Sequence, residues 1–233
     1  MYRRALSLFK TNIALYTIVI VVVVMFELMM QAVGIVTLVF AGLTMLYTHR
    51  MIQLEEVYGW ADPLSTTGKD GSKVPIIGYS LRFLALFIIL TLMITAGFIT
   101  LDRFGVLDPN AETVDLAFAI WGVLIAVPAF CGLMAVVGTV LPACAERGDT
   151  SLISAAGRGF KTFWKTLVNL VIGPVALAIT GMIILGYTGW HVDETSGWIL
   201  RVAYQVFVSI LTIVPATLAA TALSIAYLDA EPR

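Results

Sequence analysis

Few residues in this chain have side chains that could do chemistry, and their spacing limits what chemistry is possible. Glu27 is the one charged residue between residues 11 and 48. Within a membrane, an acid at the helix centre costs roughly 2.5–3.5 kcal/mol and marks proton or cation handling. At the tip of a helical hairpin it costs little and ends a span. A turn is needed there in any case, so the hairpin tip is the preferred reading and the intramembrane acid its alternative. Met25, Met29 and Met30 flank Glu27. Thioethers at helical spacing can bind Cu(I), but only His191 could join them on that side, and a methionine packing seam is expected instead. His49 and His191 fall on opposite sides of the membrane in the topology derived below, so they cannot share a metal or a haem. Cys131 and Cys144 lie on one expected helix, about 20 Å apart, too far to bridge, and read as small buried residues. His49, Glu55, Glu56 and Asp62 gather at one membrane face, where an enzyme acting on a lipid headgroup could be built. They are spread along a helix end and a loop, which argues against it. Gly68-Lys69 lacks the upstream glycine and following Ser or Thr of a phosphate-binding loop. Gly-x-Ser-x-Gly and His-Glu-x-x-His are absent from the sequence. The expectation is a protein that is not an enzyme, with no catalytic residue, cofactor or metal.

The elements that would hold these residues are apolar blocks. The chain has 233 residues, 60% hydrophobic and 12% charged, with a mean hydropathy of +0.96. A soluble domain is about half apolar and a quarter charged. Here the excess forms blocks of about 20 residues, long enough to cross a hydrocarbon core of roughly 30 Å. The expected fold is all-α, a single polytopic transmembrane bundle of six spans. A basic tract able to neutralise nucleic acid is missing. Arg3, Arg4 and Lys10 precede an apolar run too long for a signal peptide, so a retained first span is expected.

The spans are placed at about 5–26, 28–48, 77–101, 116–141, 167–187 and 198–228. The β-branched run Ile18–Val24 is still expected to be helical, because in lipid every backbone group must be satisfied within the segment. Residues 49–76 form the first long loop; its first part, Met51–Val57, could continue span 2 as a helix beyond the membrane, and Ser65 to Ser72, rich in Gly, Ser and Thr, read as flexible. Between spans 4 and 5, residues 150–166 have helical periodicity, with Asp149 or Thr150 as cap. Leu152, Ile153, Ala156, Phe160, Phe163, Trp164 and Leu167 make one face; Arg158, Lys161 and Lys165 fall on the other. A helix of this kind lies in a membrane interface near anionic headgroups. With six spans, twelve of the fourteen Lys and Arg residues fall on one side and only Arg103 and Arg201 on the other. By the positive-inside rule both termini are cytoplasmic.

Pro128, Pro174 and Pro215 sit inside spans 4, 5 and 6. Each frees a carbonyl and kinks its helix, so together they could open a cavity. Ala216, Ala220 and Ser224 give span 6 a small-residue face for close helix packing.

At the central stretch the chain resembles a broad bacterial group, the YciC family and the membrane domain of some glycerophosphodiester phosphodiesterases. The matching residues are Ala155-Ala156, Arg158, Phe160, Lys161, Phe163-Trp164 and Lys165, within about 30 residues. The resemblance implies a six-span fold; no phosphodiesterase domain accompanies it. A bacterial inner-membrane location is expected because the sequence shows no organelle-type transit peptide. The functional expectation is a non-enzymatic accessory or scaffold protein, a subunit or assembly factor of a larger membrane complex. Its partners would be anionic lipids, met through Arg158, Lys161, Phe163, Trp164 and Lys165, and other integral membrane proteins. The alternative is a transporter or channel for a small molecule or lipid, using a cavity between spans 4 to 6.

Overall fold

Asn12 turns the chain through a right angle. In the computed structural model, which describes residues 1–30, 35–69, 71–106, 114–189, 192 and 196–231, helix α1 (Tyr2–Thr11) and helix α2 (Ile13–Met30) meet at 83°. Asn12 leaves the helical region at φ −117°, ψ 35°. Its Nδ2 donates to Leu8 O at 3.2 Å and its Oδ1 accepts from Tyr58 N at 2.8 Å. An asparagine that hydrogen-bonds to nearby backbone competes with the helix. The expected span 5–26 is therefore corrected: residues 2–11 cross the bundle end, and the apolar helix begins at Ile13. The run Ile18–Val24 is helical within it.

Helix α3 (Ile35–Gln53) outlasts its expected end at residue 48 by a full turn, because it is wrapped by α2, α4, α6 and α9. After it, the loop is built rather than loose. Val74 N donates to Thr66 O and Gly68 N to Ser72 O, each at 2.8 Å, around an isolated bridge between Thr67 and Lys73. Gly71 supplies the positive φ (+76°) that this tight return needs. Apart from Asp70, which is outside the described residues, the stretch expected to be flexible is a short hairpin.

Helix α4 (Ile76–Arg103) buries only Tyr79 and Leu86. Helix α5 (Val114–Val137) contains Pro128 and gives way at Gly138 to the short α6 (Val140–Glu146). Arg147, in the left-handed region at φ 66°, stops α6. The cap of α7 (Leu152–Leu170) is Ser151, whose Oγ accepts from Ser154 N at 3.2 Å. Asp149 instead accepts from Ser151 N at 2.9 Å. Proline cannot donate to the ladder, and around Pro174 the helix widens into a π turn (Val171–Val175) before continuing as α8 (Ala176–Gly189). Residues Leu152–Tyr187 thus form one rod of 36 residues, not a surface helix followed by a separate span. Helix α9 (Trp198–Ala230) carries Pro215 and runs antiparallel to this rod, pairing Arg158 with Glu231 and Lys165 with Asp229.

Among the described residues five helices are long and apolar enough to cross a membrane, or six if α1 and α2 count as one bent span. Close approach of α7 to α5 depends on Gly159, where a Cβ would fall 2.0 Å from Val136 O. Several cations assigned to one membrane side do meet at one bundle end. Arg4 donates to Ile52 O, Arg147 to Lys73 O and Arg82 to Thr150 Oγ1.

Candidate functional site

Where the helices diverge around the prolines, they form a partly open apolar cavity of about 330 Å³. Met45 of α3, Phe83 and Phe87 of α4, and Val127 and Met134 of α5 line one side; Pro174, Val175, Pro215, Ala216 and Leu223 line the other. Two of the three kink prolines face it. Pro128 does not, although its neighbour Val127 does. Small residues make the space: Ala126, Ala178, Ala216 and Ala219 stand where larger side chains would fill it. The lining side chains are all apolar, so the cavity suits hydrocarbon and gives no polar path for an ion.

A buried polar layer adjoins it. His49, expected at the start of a loop, is instead inside α3 and fully buried, its Nδ1 2.7 Å from Ser224 Oγ. Next to it Arg50, 1% exposed, donates from Nε to Glu56 Oε2 (2.7 Å), from NH2 to Glu56 Oε1 (2.5 Å) and from NH1 to Ala145 O (3.1 Å). Tyr58 Oη also donates to Glu56. Burial raises the Glu56 carboxyl, but the hydrogen bonds from Arg50 and Tyr58 and the charge of Arg50 outweigh it and hold the group below its usual range. Burial and the Glu56 carboxylate together push the Tyr58 phenol up.

The other expected sites divide. Arg158 is 3% exposed, not on a lipid-facing surface. It pairs with Glu231 at 2.9 Å, donates to Asp149 O at 2.9 Å and lies over the Tyr227 ring. The reason is packing: Ala155, Arg158, Gly159, Thr162 and Thr166 form the inward stripe of α7, narrow enough to approach α5 and α9. Phe160 and Trp164 point outward at 69% and 74% exposed. Lys161 and Lys165 are also exposed, and Phe163 is half-buried against Trp164. Glu27 is in the last turn of α2, facing Thr37 in the first turn of α3. It is 5% exposed and accepts from Thr37 Oγ1. Met25 and Met29 point outward, not into a packing seam; the Met30 side chain, residues 31–34 and His191 lie outside the described residues. Ala220 and Ser224 are fully buried inside the chain, and Ser224 meets α3. The acids near His49 do not converge on it: Glu56 turns to Arg50, and Glu55 and Asp62 are exposed. Cys131 and Cys144 are free and buried.

The buried Arg50–Glu56 pair escaped sequence reasoning. Its signal was present: an Arg at a helix end with a Glu six residues on, across a reversal. The fold and cavity together define an all-helical protein of the membrane-spanning class. Compared with protein families, characterised proteins and solved structures, the chain matches none.

Proposed function

We propose that this chain is a non-enzymatic integral membrane protein that holds a lipid chain in its central cavity and serves as an accessory or scaffold subunit. The single observation that supports the reading is the cavity. The pocket is partly open and has only apolar walls, so the occupant that fits it is hydrocarbon. The lack of a polar path weighs against ion or polar-solute transport.

Helix length supports one placement in the membrane. From Trp198 to Thr217, α9 rises about 30 Å, one hydrocarbon core. Thr217 is level with Tyr16 and Thr48, whose hydroxyls lie 3.4 Å apart, just inside the Asn12 corner. Helix α1, at 83° to α2, then lies in the membrane surface with Arg3, Arg4 and Lys10 exposed to headgroups. The excess of Lys and Arg at this end supports a cytoplasmic face with both termini on it, and a bacterial inner membrane belongs to the same proposal. Other integral membrane proteins would dock on the outward face of α4. Kinship with the YciC-like group belongs to the same proposal.

The test is lipid analysis of protein purified from its native membrane in mild detergent. Wild type should retain about one lipid chain per protein. The pair Ala178→Phe and Ala216→Phe should lose it while eluting as the same folded species. Equal lipid content in both would refute the reading.

A further inference from the structure

Two buried side chains beside the cavity have polar atoms that meet nothing. The Nε2 of His49 and the hydroxyl of Tyr79 both lack a hydrogen-bond partner, in side chains 0% and 1% exposed. Their rings stand 5.9 Å apart, on α3 and α4. Both are placed one helical turn from the cavity wall. Met45 lines the cavity and His49 follows it by four residues on the same face of α3; Phe83 lines it and Tyr79 precedes it by four on α4. The helices run antiparallel here, so both steps lead toward the same end of the bundle. Tyr79 also lines a second, smaller cavity of about 170 Å³, which shares Leu38, Phe83 and Phe87 with the large one. Gly42 keeps that space open: a Cβ there would come within 3.1 Å of the Phe83 ring.

Burying an unpaired polar atom opposes folding, and two together in one layer point to a group that satisfies them. The cations of this layer are already engaged. Arg50 is held by Glu56 and Ala145 O, and Arg82 donates to Gly78 O and Thr150 Oγ1. The fitting group is therefore uncharged. A hydroxyl fits either tautomer, because it can both donate and accept: the Tyr79 hydroxyl can donate to it, and His49 Nε2 takes either role according to whether Nδ1 donates to or accepts from Ser224.

We infer that His49 and Tyr79 receive the hydroxyl of an uncharged single-chain lipid whose tail occupies the central cavity. The inference rests on the acyl-chain reading above and adds the chemical class of the ligand. The probes that test it are radiolabelled hexadecan-1-ol and hexadecane, which differ only by the hydroxyl. Each is added to detergent-solubilised protein, and retention is measured after gel filtration. Wild type should retain the alcohol roughly five- to tenfold better than the alkane, the effect of about one buried hydrogen bond. Tyr79→Phe, which removes a single oxygen, should erase that preference and leave alkane retention unchanged. The pair Ala178→Phe and Ala216→Phe should lose both probes. If wild type retains the two equally, or Tyr79→Phe keeps the preference, the inference is overturned and the two polar atoms meet water only. Retention of neither probe by wild type would instead overturn the acyl-chain reading itself, and this inference with it.

Discussion

Replacing Glu56 by alanine should destabilise the protein far more than a loop substitution ordinarily does. The carboxylate accepts from four donors: Arg50 Nε at 2.7 Å, Arg50 NH2 at 2.5 Å, the Tyr58 hydroxyl and, more weakly, Lys69 N at 3.4 Å. Arg50 is 1% exposed and cannot turn to water. Glu56→Ala leaves its guanidinium buried without its counter-charge, beside Ala145 O and the Tyr58 side chain. Breaking a buried pair from one side costs about 3–5 kcal/mol. For a chain of this size that lowers the unfolding midpoint by roughly 6–20 °C. Replacing both partners by apolar residues, Arg50→Met with Glu56→Leu, removes the stranded charge. The remaining loss, from Tyr58 and Ala145 O, is about 1–3 kcal/mol. Thermal unfolding in detergent can be followed with a thiol-reactive dye, because Cys131 and Cys144 are free, buried and exposed only on unfolding. The acid limb adds a second readout. Glu56 is held below its usual value of 4.5, so its contribution is complete above that pH and is lost as pH falls through the lower folded value. Wild type should weaken in that window, and Glu56→Ala should lack this part of the slope. A double variant no more stable than Glu56→Ala would refute the account, since the stranded charge would not be the source of the loss.

Two further outcomes follow from packing and placement. Gly159→Ala should unseat α7 from α5, because its Cβ would meet Val136 O at 2.0 Å, whereas Gly157→Ala, with nothing within 4 Å, should gain up to about 1 kcal/mol from helix propensity; the same thermal assay separates them. A spin label at Leu6→Cys, on the exposed side of α1, should report headgroup depth in nanodiscs, and a fully aqueous accessibility would show that α1 stands off the membrane.

The span pattern was legible because it rests on length and composition. Helix α4 and helix α9 begin and end within two residues of expectation, since their apolar runs are bounded by polar loops. Boundaries decided by one side chain were not legible. Asn12 breaks a helix whose composition continues through it, and it does so with help from Tyr58, which is 46 residues away. On α7 the periodicity was correct but the facing was inverted at Arg158. A membrane bundle can bury a small-residue stripe containing one paired arginine and leave aromatics outside, which reverses the rule that holds in water. Glu231, the partner that makes this tolerable, is 73 residues from Arg158. The cavity was foreseen from its prolines, but its walls depend on alanines from different helices, and no local pattern marks them as facing one another.

The separation in sequence between α3 and α9 bears on how the chain is made. His49 and Ser224 are 175 residues apart. At about 5–20 residues per second, α3 leaves the ribosome roughly 9–35 s before its partner. Throughout that interval His49 lacks the Ser224 hydroxyl, although α2, α4 and α6 are made before α9 and also pack on α3. The Arg50–Glu56 pair, only six residues apart, needs none of the later chain to form. It can neutralise the charge at the end of α3 as soon as the following loop emerges, so the nascent first hairpin has a provisional cap of its own during the wait for α9.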